Sequence, residues 1–199
     1  MNARRHSPAA ERNGPPILAE LRRLLPATGS MLEIASGTGQ HAAFLSEGLP
    51  GWQWQPSDHD ATALPSIAAW CAGLHRVRAP VTLDVLTSHW PVPRVDAIYC
   101  ANMIHIAPWA CTAGLMQGAA RHLTPQGLLI TYGPYVEDDV PTAPSNAAFD
   151  ADLRARNADW GIRRLGDVAA EAAAAGLTLR ERIAMPANNL LLVWRRATP

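Results

Sequence analysis

A chain of 199 residues, 48% of them apolar, carries enough hydrophobic material to build the core of one α/β domain. Its formal net charge is zero, and no basic run is longer than a pair, which argues against nucleic acid as an obligatory partner. The chain has no lysine, because all 17 basic residues are arginines, so Schiff-base lysine chemistry and a P-loop lysine are both excluded.

Residues 1–14 are polar, with no apolar run of the kind a signal peptide needs. No apolar stretch elsewhere reaches membrane-spanning length. Cys71, Cys100 and Cys111 show neither metal spacing nor a disulfide framework. A cytoplasmic, membrane-free protein is the expectation. From Pro15 to Leu25, residues Ile17, Leu18, Leu21, Leu24 and Leu25 recur at helical spacing, and Pro15 and Pro16 suit its first turn.

An alternation of short apolar runs and helical stretches follows. Strands are predicted at Met31–Ala35, Trp52–Gln55, Val81–Leu83, Val95–Cys100 and Gly127–Tyr132. Helices are predicted after the first strand through Leu49, over Leu64–Gly73 and around Ala110–Leu123. Such alternation gives a parallel sheet covered on both faces. A proline-rich loop, Glu137–Pro144, then leads into helices at Asn146–Asn157 and Asp167–Ala175, the latter capped by Gly176. Leu177–Ile183 and Leu190–Arg195 are two further strands, joined so tightly that they must pair antiparallel. The outline is one Rossmann-like α/β domain over 1–199, with a seven-stranded, mostly parallel sheet ending in an antiparallel hairpin. Residues 1–25 form its N-terminal segment and helix, and 133–160 a candidate lid or a plain solvated loop.

The run Glu33-Ile34-Ala35-Ser36-Gly37-Thr38-Gly39-Gln40-His41-Ala42 places a strand end, a tight turn and a helix start in the order a ligand-cradling loop requires. By itself Gly37-x-Gly39-x-x-Ala42 also satisfies a dinucleotide fingerprint, with Asp58 as its ribose acid. Three acids tilt the reading toward S-adenosylmethionine (SAM). Glu33 precedes the glycines and suits an ammonium, Asp58 suits the ribose hydroxyls, and Asp84, followed by Val85, suits an adenine amino group. All three fall at successive strand ends on one edge of the sheet. Each acid singly is equally a helix cap or a solvated turn.

After the fourth strand, Asn102 stands at the strand end and His105 on the next turn. His105 is a candidate general base, or else a buried structural histidine between Ile104 and Ile106. Trp109 and Tyr132 are candidate pocket walls, and packing is the competing role. The other histidines show no metal-ligand spacing, so no metal is expected.

Several segments share a family pattern: Ser7-Pro8-Ala9-Ala10-Glu11-Arg12-Asn13, Glu33 to His41, Trp54-Gln55-Pro56-Ser57-Asp58, Ala101 to Trp109, Trp160-Gly161-Ile162-Arg163 and Met185 to Leu190. Together they resemble, nearly end to end, a methyltransferase-like family of unassigned reaction within the class I SAM-dependent methyltransferases. The resemblance implies that SAM contacts Glu33, Ala35, Ser36, Gly37, Gly39, His41, Asp58, Asp84, Val85 and Asn102, with Arg12 on its carboxylate. It draws in Asn13 and Asn188 as substrate contacts beside Trp109 and Tyr132, although asparagine at 188 also suits a tight turn. Ala35 stands where many such loops have glycine, and Gly14 and Arg164 replace an expected basic and an expected acidic residue. The expected activity is methyl transfer from SAM to a small-molecule acceptor. An NAD-dependent oxidoreductase and a non-catalytic SAM-binding module are the alternatives, and oligomeric state stays open.

Overall fold

A computed structural model describes residues 3–197, so the four terminal residues of the expected 1–199 domain lie outside the described residues. Helix α1 spans Pro8–Leu24, starting seven residues before the expected Pro15. Ser7 caps it, accepting from the Ala10 amide, and Pro8 occupies the first helical turn. Apolar periodicity missed this half of α1 because only its later turns bury Ile17, Leu18 and Leu21. Pro15 and Pro16 therefore sit inside the helix. They lack the N–H groups that would serve the carbonyls of Glu11 and Arg12, residues exposed to water.

The elements then alternate: β1 (Gly29–Ile34), α2 (Gln40–Gly48), β2 (Trp52–Asp58), α3 (Leu64–Trp70), β3 (Val81–Thr82), β4 (Val95–Ala101), α4 (Ala110–His122) and β5 (Leu123–Gly133). After β6 (Tyr135–Val136) come α5 (Pro144–Arg156), β7 (Arg163–Arg164), α6 (Leu165–Ala174), β8 (Leu177–Met185) and β9 (Asn189–Arg196). Seven strands form one sheet in the order β3-β2-β1-β4-β5-β9-β8. Neighbours from β3 through β5 are parallel, and β9 runs antiparallel to both β5 and β8. The fold class is the one expected, a Rossmann-like sheet closed by an antiparallel hairpin. The ribbon of β6 with β7 was not expected, since two-residue strands carry no readable alternation.

Two apolar layers flank the sheet. One face packs Ile17, Leu21, Leu45 and Ile67 from α1, α2 and α3 against Met31, Trp54 and Tyr99. The other packs Leu115, Met116 and Val168 from α4 and α6 against Leu32, Ile98 and Leu192. Met31 to Ile34 of β1 are all buried, as a central strand covered on both faces must be. Edge strand β8 alternates buried and exposed positions and carries Arg180, Glu181 and Arg182, charges that discourage further strand pairing.

The chain order leaves a switch point. After β1 the chain moves outward to β2 and β3, then returns to the other side of β1 with β4. The loops leaving β1 and β4 therefore diverge, opening a crevice at the carboxyl edge where such sheets bind ligands.

Candidate functional site

The loop leaving β1 fills one side of that crevice. Ala35, Gly37 and Gly39 all adopt left-handed backbone, with φ of 55°, 58° and 90°. An alanine does so only at a cost of about 1–2 kcal/mol, so the surrounding bonds must hold it there. They are present. The Ser36 amide donates to the Ser57 carbonyl at 2.8 Å, and the Ser57 hydroxyl donates to the Glu33 carbonyl at 2.7 Å. Asp58 accepts from the Gly37 amide at 2.9 Å and from the Asp60 amide at 3.0 Å. At Gly39 a Cβ would lie 2.6 Å from the Ile67 backbone, whereas at Gly37 it would meet nothing nearer than 3.9 Å. Gly39 lets α3 pack against the loop; at Gly37 the constraint is the left-handed backbone, since a side-chain carbon would meet only the Ala35 carbonyl.

Glu33 is 2% exposed and accepts from the Trp54 indole at 2.7 Å. Burial pushes its carboxyl up to about 7, against the opposing pull of the Trp54 and Ser36 hydrogen bonds. His41 uses both ring nitrogens on the protein. The Ala10 carbonyl, 3.0 Å from Nε2, can only accept, so Nε2 carries the proton and Nδ1 accepts from the Tyr99 hydroxyl at 3.1 Å. Burial lowers its pKa to about 4, leaving a neutral strut that ties α1 to α2 and β4.

The N-terminal residues are bound over this loop. Arg5 donates its amide to Ser66, whose hydroxyl donates to the Thr38 carbonyl at 2.7 Å, and the Ser7 amide donates to Gln40. Arg12 and Asn13, expected just ahead of the first helix, lie within α1, Arg12 exposed and Asn13 half-buried. Asp84 falls two residues beyond the short β3, exposed, with its carboxylate accepting from the Leu86 amide at 2.9 Å. Val85 is buried under α4, where its carbonyl faces Gly114.

Across the crevice, Asn102 follows β4 in left-handed backbone, φ 61°, and its amide donates to the Tyr132 carbonyl at 2.7 Å. His105 follows on a 3-10 turn, Met103–His105, and is fully buried. Neither of its ring nitrogens has a hydrogen-bond partner among the described residues. The ring packs edge-on against Tyr135, centroids 4.8 Å apart, and lies so close to Gly133 that a Cβ there would sit 2.6 Å from Nε2 and 3.1 Å from Asn102 Oδ1. Burial, reinforced by the Arg163 charge, pushes the imidazole down to about 3.

Arg163 and Gly161 were singled out only as part of the family pattern, without a role. The Gly161 amide donates to the His105 carbonyl, and Arg163 donates to the carbonyls of Ile104 and Ala107. They fasten the turn that carries His105, a role no local periodicity reveals. Trp109 lies half-buried beneath the Arg163 guanidinium, on the outer side of that turn. Asn188 sits at the tip of the β8–β9 connection, where it and Ala187 have φ of 56° and 57°. The departures also find partners: Gly14 lies against the Phe44 ring, and Arg164 pairs with Asp138.

Residues 4–196 match the family described as "Protein of unknown function (DUF938)", and the chain belongs to it. Among solved structures, it is similar to CalO1, a methyltransferase of calicheamicin biosynthesis in its SAH-bound form. The identity is 20%, the TM-score 0.76, and the match covers 95% of this chain and 54% of that one. The mitomycin 7-O-methyltransferase MmcR matches at 16% identity and a TM-score of 0.81, over 95% and 54% of the two chains. Human N-acetylserotonin methyltransferase, in complex with SAM, matches at 16% and 0.72, over 94% and 52%. The fold is thus that of these methyltransferases, and the chain spans about half the length of each.

Proposed function

From a DUF938 member with the fold of SAM-dependent methyltransferases, we propose an enzyme that transfers a methyl group from SAM to a small-molecule acceptor. The observation that carries this reading is Glu33, a carboxyl held almost fully out of water beside the left-handed Gly37 and Gly39 of the loop leaving β1. A pyrophosphate there would face a buried acid, whereas the ammonium of a methionine moiety would restore its ionisation. That contrast favours SAM over NAD.

In this reading Glu33, Ala35, Ser36, Gly37 and Gly39 form the floor of the cofactor site. Asp58 keeps lone pairs free beyond the two it gives to Gly37 and Asp60. Asp84 and Val85 close the adenine end and Asn102 the reacting end. His41 and Gly39 act as positioning residues for the loop, and Arg12 reaches the site only from the exposed side of α1. When bound, SAM supplies an electrophilic methyl group on a sulfonium. The chain's part is to align an acceptor, because an in-line displacement depends chiefly on placing the reacting atoms within about 3–3.5 Å.

His105 receives the acceptor's proton in this account. A neutral imidazole with a pKa near 3 is a weak base toward an unreacted hydroxyl. It is adequate once bond formation to the methyl group has made that hydroxyl strongly acidic. Proton transfer therefore trails methyl transfer. Asn102 Oδ1, close to His105 across Gly133, orients the same acceptor. Asn13, Trp109, Tyr132 and Asn188 remain candidate substrate contacts, and residues 133–160 a candidate lid.

The test is a paired measurement of SAM affinity and methyl transfer to an acceptor panel. His105→Ala and Asn102→Ala are expected to keep SAM affinity within about threefold and to lower turnover by about 10²–10⁴. Unchanged turnover in both variants would remove the catalytic roles given to His105 and Asn102, and activity on no acceptor despite tight SAM binding would favour a non-catalytic binding module.

A further inference from the structure

Beyond Tyr135 the structure contains a cavity of about 190 Å³, roofed by the loop between β6 and α5 and floored by the β8–β9 connection. Tyr135 lines it and also packs on His105, so the cavity begins one ring away from the buried imidazole. Its volume is below the ~300 Å³ at which drug-sized pockets begin, so it takes a small molecule or one end of a larger one.

The chemistry of its walls is specific. Val140, Met185 and Leu190 give them apolar patches among the polar Thr142 and Asn189. Its two charged residues cancel, because Arg182 donates to both carboxylate oxygens of Glu137, at 2.9 Å and 2.6 Å. Asn146 is 8% exposed, and its Nδ2 donates to the Asn188 carbonyl at 3.0 Å. A carbonyl only accepts, so this contact fixes the orientation of the amide and makes the remaining atom, Oδ1, an acceptor. Oδ1 has no hydrogen bond among the described residues. The cavity therefore presents an acceptor without a protein partner among the described residues, walls with apolar patches and no net charge.

We propose that this cavity binds an uncharged small molecule, or the uncharged end of one, that presents a hydroxyl or N–H donor to Asn146 Oδ1. Such a donor gives Oδ1 a partner, and Val140, Met185 and Leu190 take the apolar part of the ligand. A carboxylate would face the lone pairs of Oδ1 and would have to compete with Glu137 for Arg182. An ammonium would give up its water beside Glu137, whose charge Arg182 already neutralises. Calling the occupant the methyl acceptor rests on the function proposed above. The ligand class does not.

The test uses three probes of one shape and different charge: benzyl alcohol, benzoate and benzylammonium. Each is titrated into the whole chain and followed by heteronuclear NMR at the Leu190 backbone amide, a cavity-lining signal that survives replacement of Asn146. Benzyl alcohol is expected to shift that resonance saturably and to bind at least about tenfold tighter than either ion. Asn146→Ala should remove that preference. Glu137→Gln, a change at a surface ion pair, frees Arg182 and should move the preference to benzoate. Equal binding of all three probes by the wild type overturns the proposal, as does binding of none. An unchanged preference in a folded Asn146→Ala protein, or in Glu137→Gln, overturns it too. SAM is titrated into the same samples. Failure of SAM to bind would remove the methyltransferase reading and leave the cavity's ligand class standing. SAM binding without discrimination among the probes would do the reverse.

Discussion

The two sides of the crevice treat their polar groups in opposite ways. On the β1–β2 side nearly every buried polar group is satisfied within the chain: Ser36 with Ser57, Gly37 with Asp58, Ser66 with Thr38, and His41 with Ala10 and Tyr99. On the β4–β5 side, both nitrogens of His105 are buried without partners among the described residues. The first is a preformed cradle, bonded tightly enough to hold an alanine in left-handed backbone. The second is held in place by Arg163 and Gly161 from outside, yet is left chemically incomplete inside. An unsatisfied buried polar group costs about 1–3 kcal/mol, so the second side carries a standing stability cost that a partner would relieve.

The largest effect should come from disturbing the satisfied side. Gly39→Ala forces a Cβ to 2.6 Å from the Ile67 backbone at φ 90°. A loss of about 3 kcal/mol or more is expected in chemical denaturation, through overpacking and backbone strain together.

Next comes pH. His41 and His105 have folded pKa values below their unfolded value near 6.5, so their contribution is lost as pH falls toward 4 and 3. Glu33 has the opposite sign. Its folded pKa of about 7 lies above the unfolded value, so its contribution is lost as pH rises from about 4.3 to 7. Near pH 5 the histidines make unfolding take up about two protons, and Glu33 returns about one. Stability should then rise by roughly 1.4 kcal/mol per pH unit in the wild type and roughly 2.7 in Glu33→Gln. Denaturation at closely spaced pH values measures both slopes; equal slopes would show that Glu33 ionises freely.

A smaller effect tests the incomplete side. His105→Leu removes two buried nitrogens that lack partners among the described residues, and the free protein should gain about 1 kcal/mol while losing methyl transfer. A loss of stability of 2 kcal/mol or more would mean that His105 is satisfied in solution. The smallest change is expected at the surface: Arg164→Ala breaks the exposed pair with Asp138 and should cost under about 1 kcal/mol.

Much of this was legible in the sequence, for identifiable reasons. Central strands such as β1 and β4 are apolar runs bounded by turn residues, and the Gly-rich loop announces itself between a strand and a helix. Asp58 and Asn102 stand at strand ends as the pattern implies. The start of α1 was missed although Ser7-Pro8 is a helix-start signal, because its first turns bury little for periodicity to detect. Asp84 was read as a strand end, but β3 stops at Thr82 and the acid opens a turn instead. The fastening of the His105 turn by residues 161 and 163 is a contact across more than 50 positions, which no local pattern encodes. Nor does composition reveal which buried nitrogens lack partners.

The central claim is that the cradle beside Glu33 and Asp58 holds an adenosyl ligand. Isothermal titration calorimetry with SAM, S-adenosylhomocysteine and NAD, on the wild type and on Asp58→Ala, tests it most directly. The account predicts roughly micromolar binding of both adenosyl ligands, no heat with NAD, and at least about tenfold weaker SAM binding in Asp58→Ala. Binding of NAD in place of SAM, or SAM binding that is indifferent to Asp58→Ala, would contradict it.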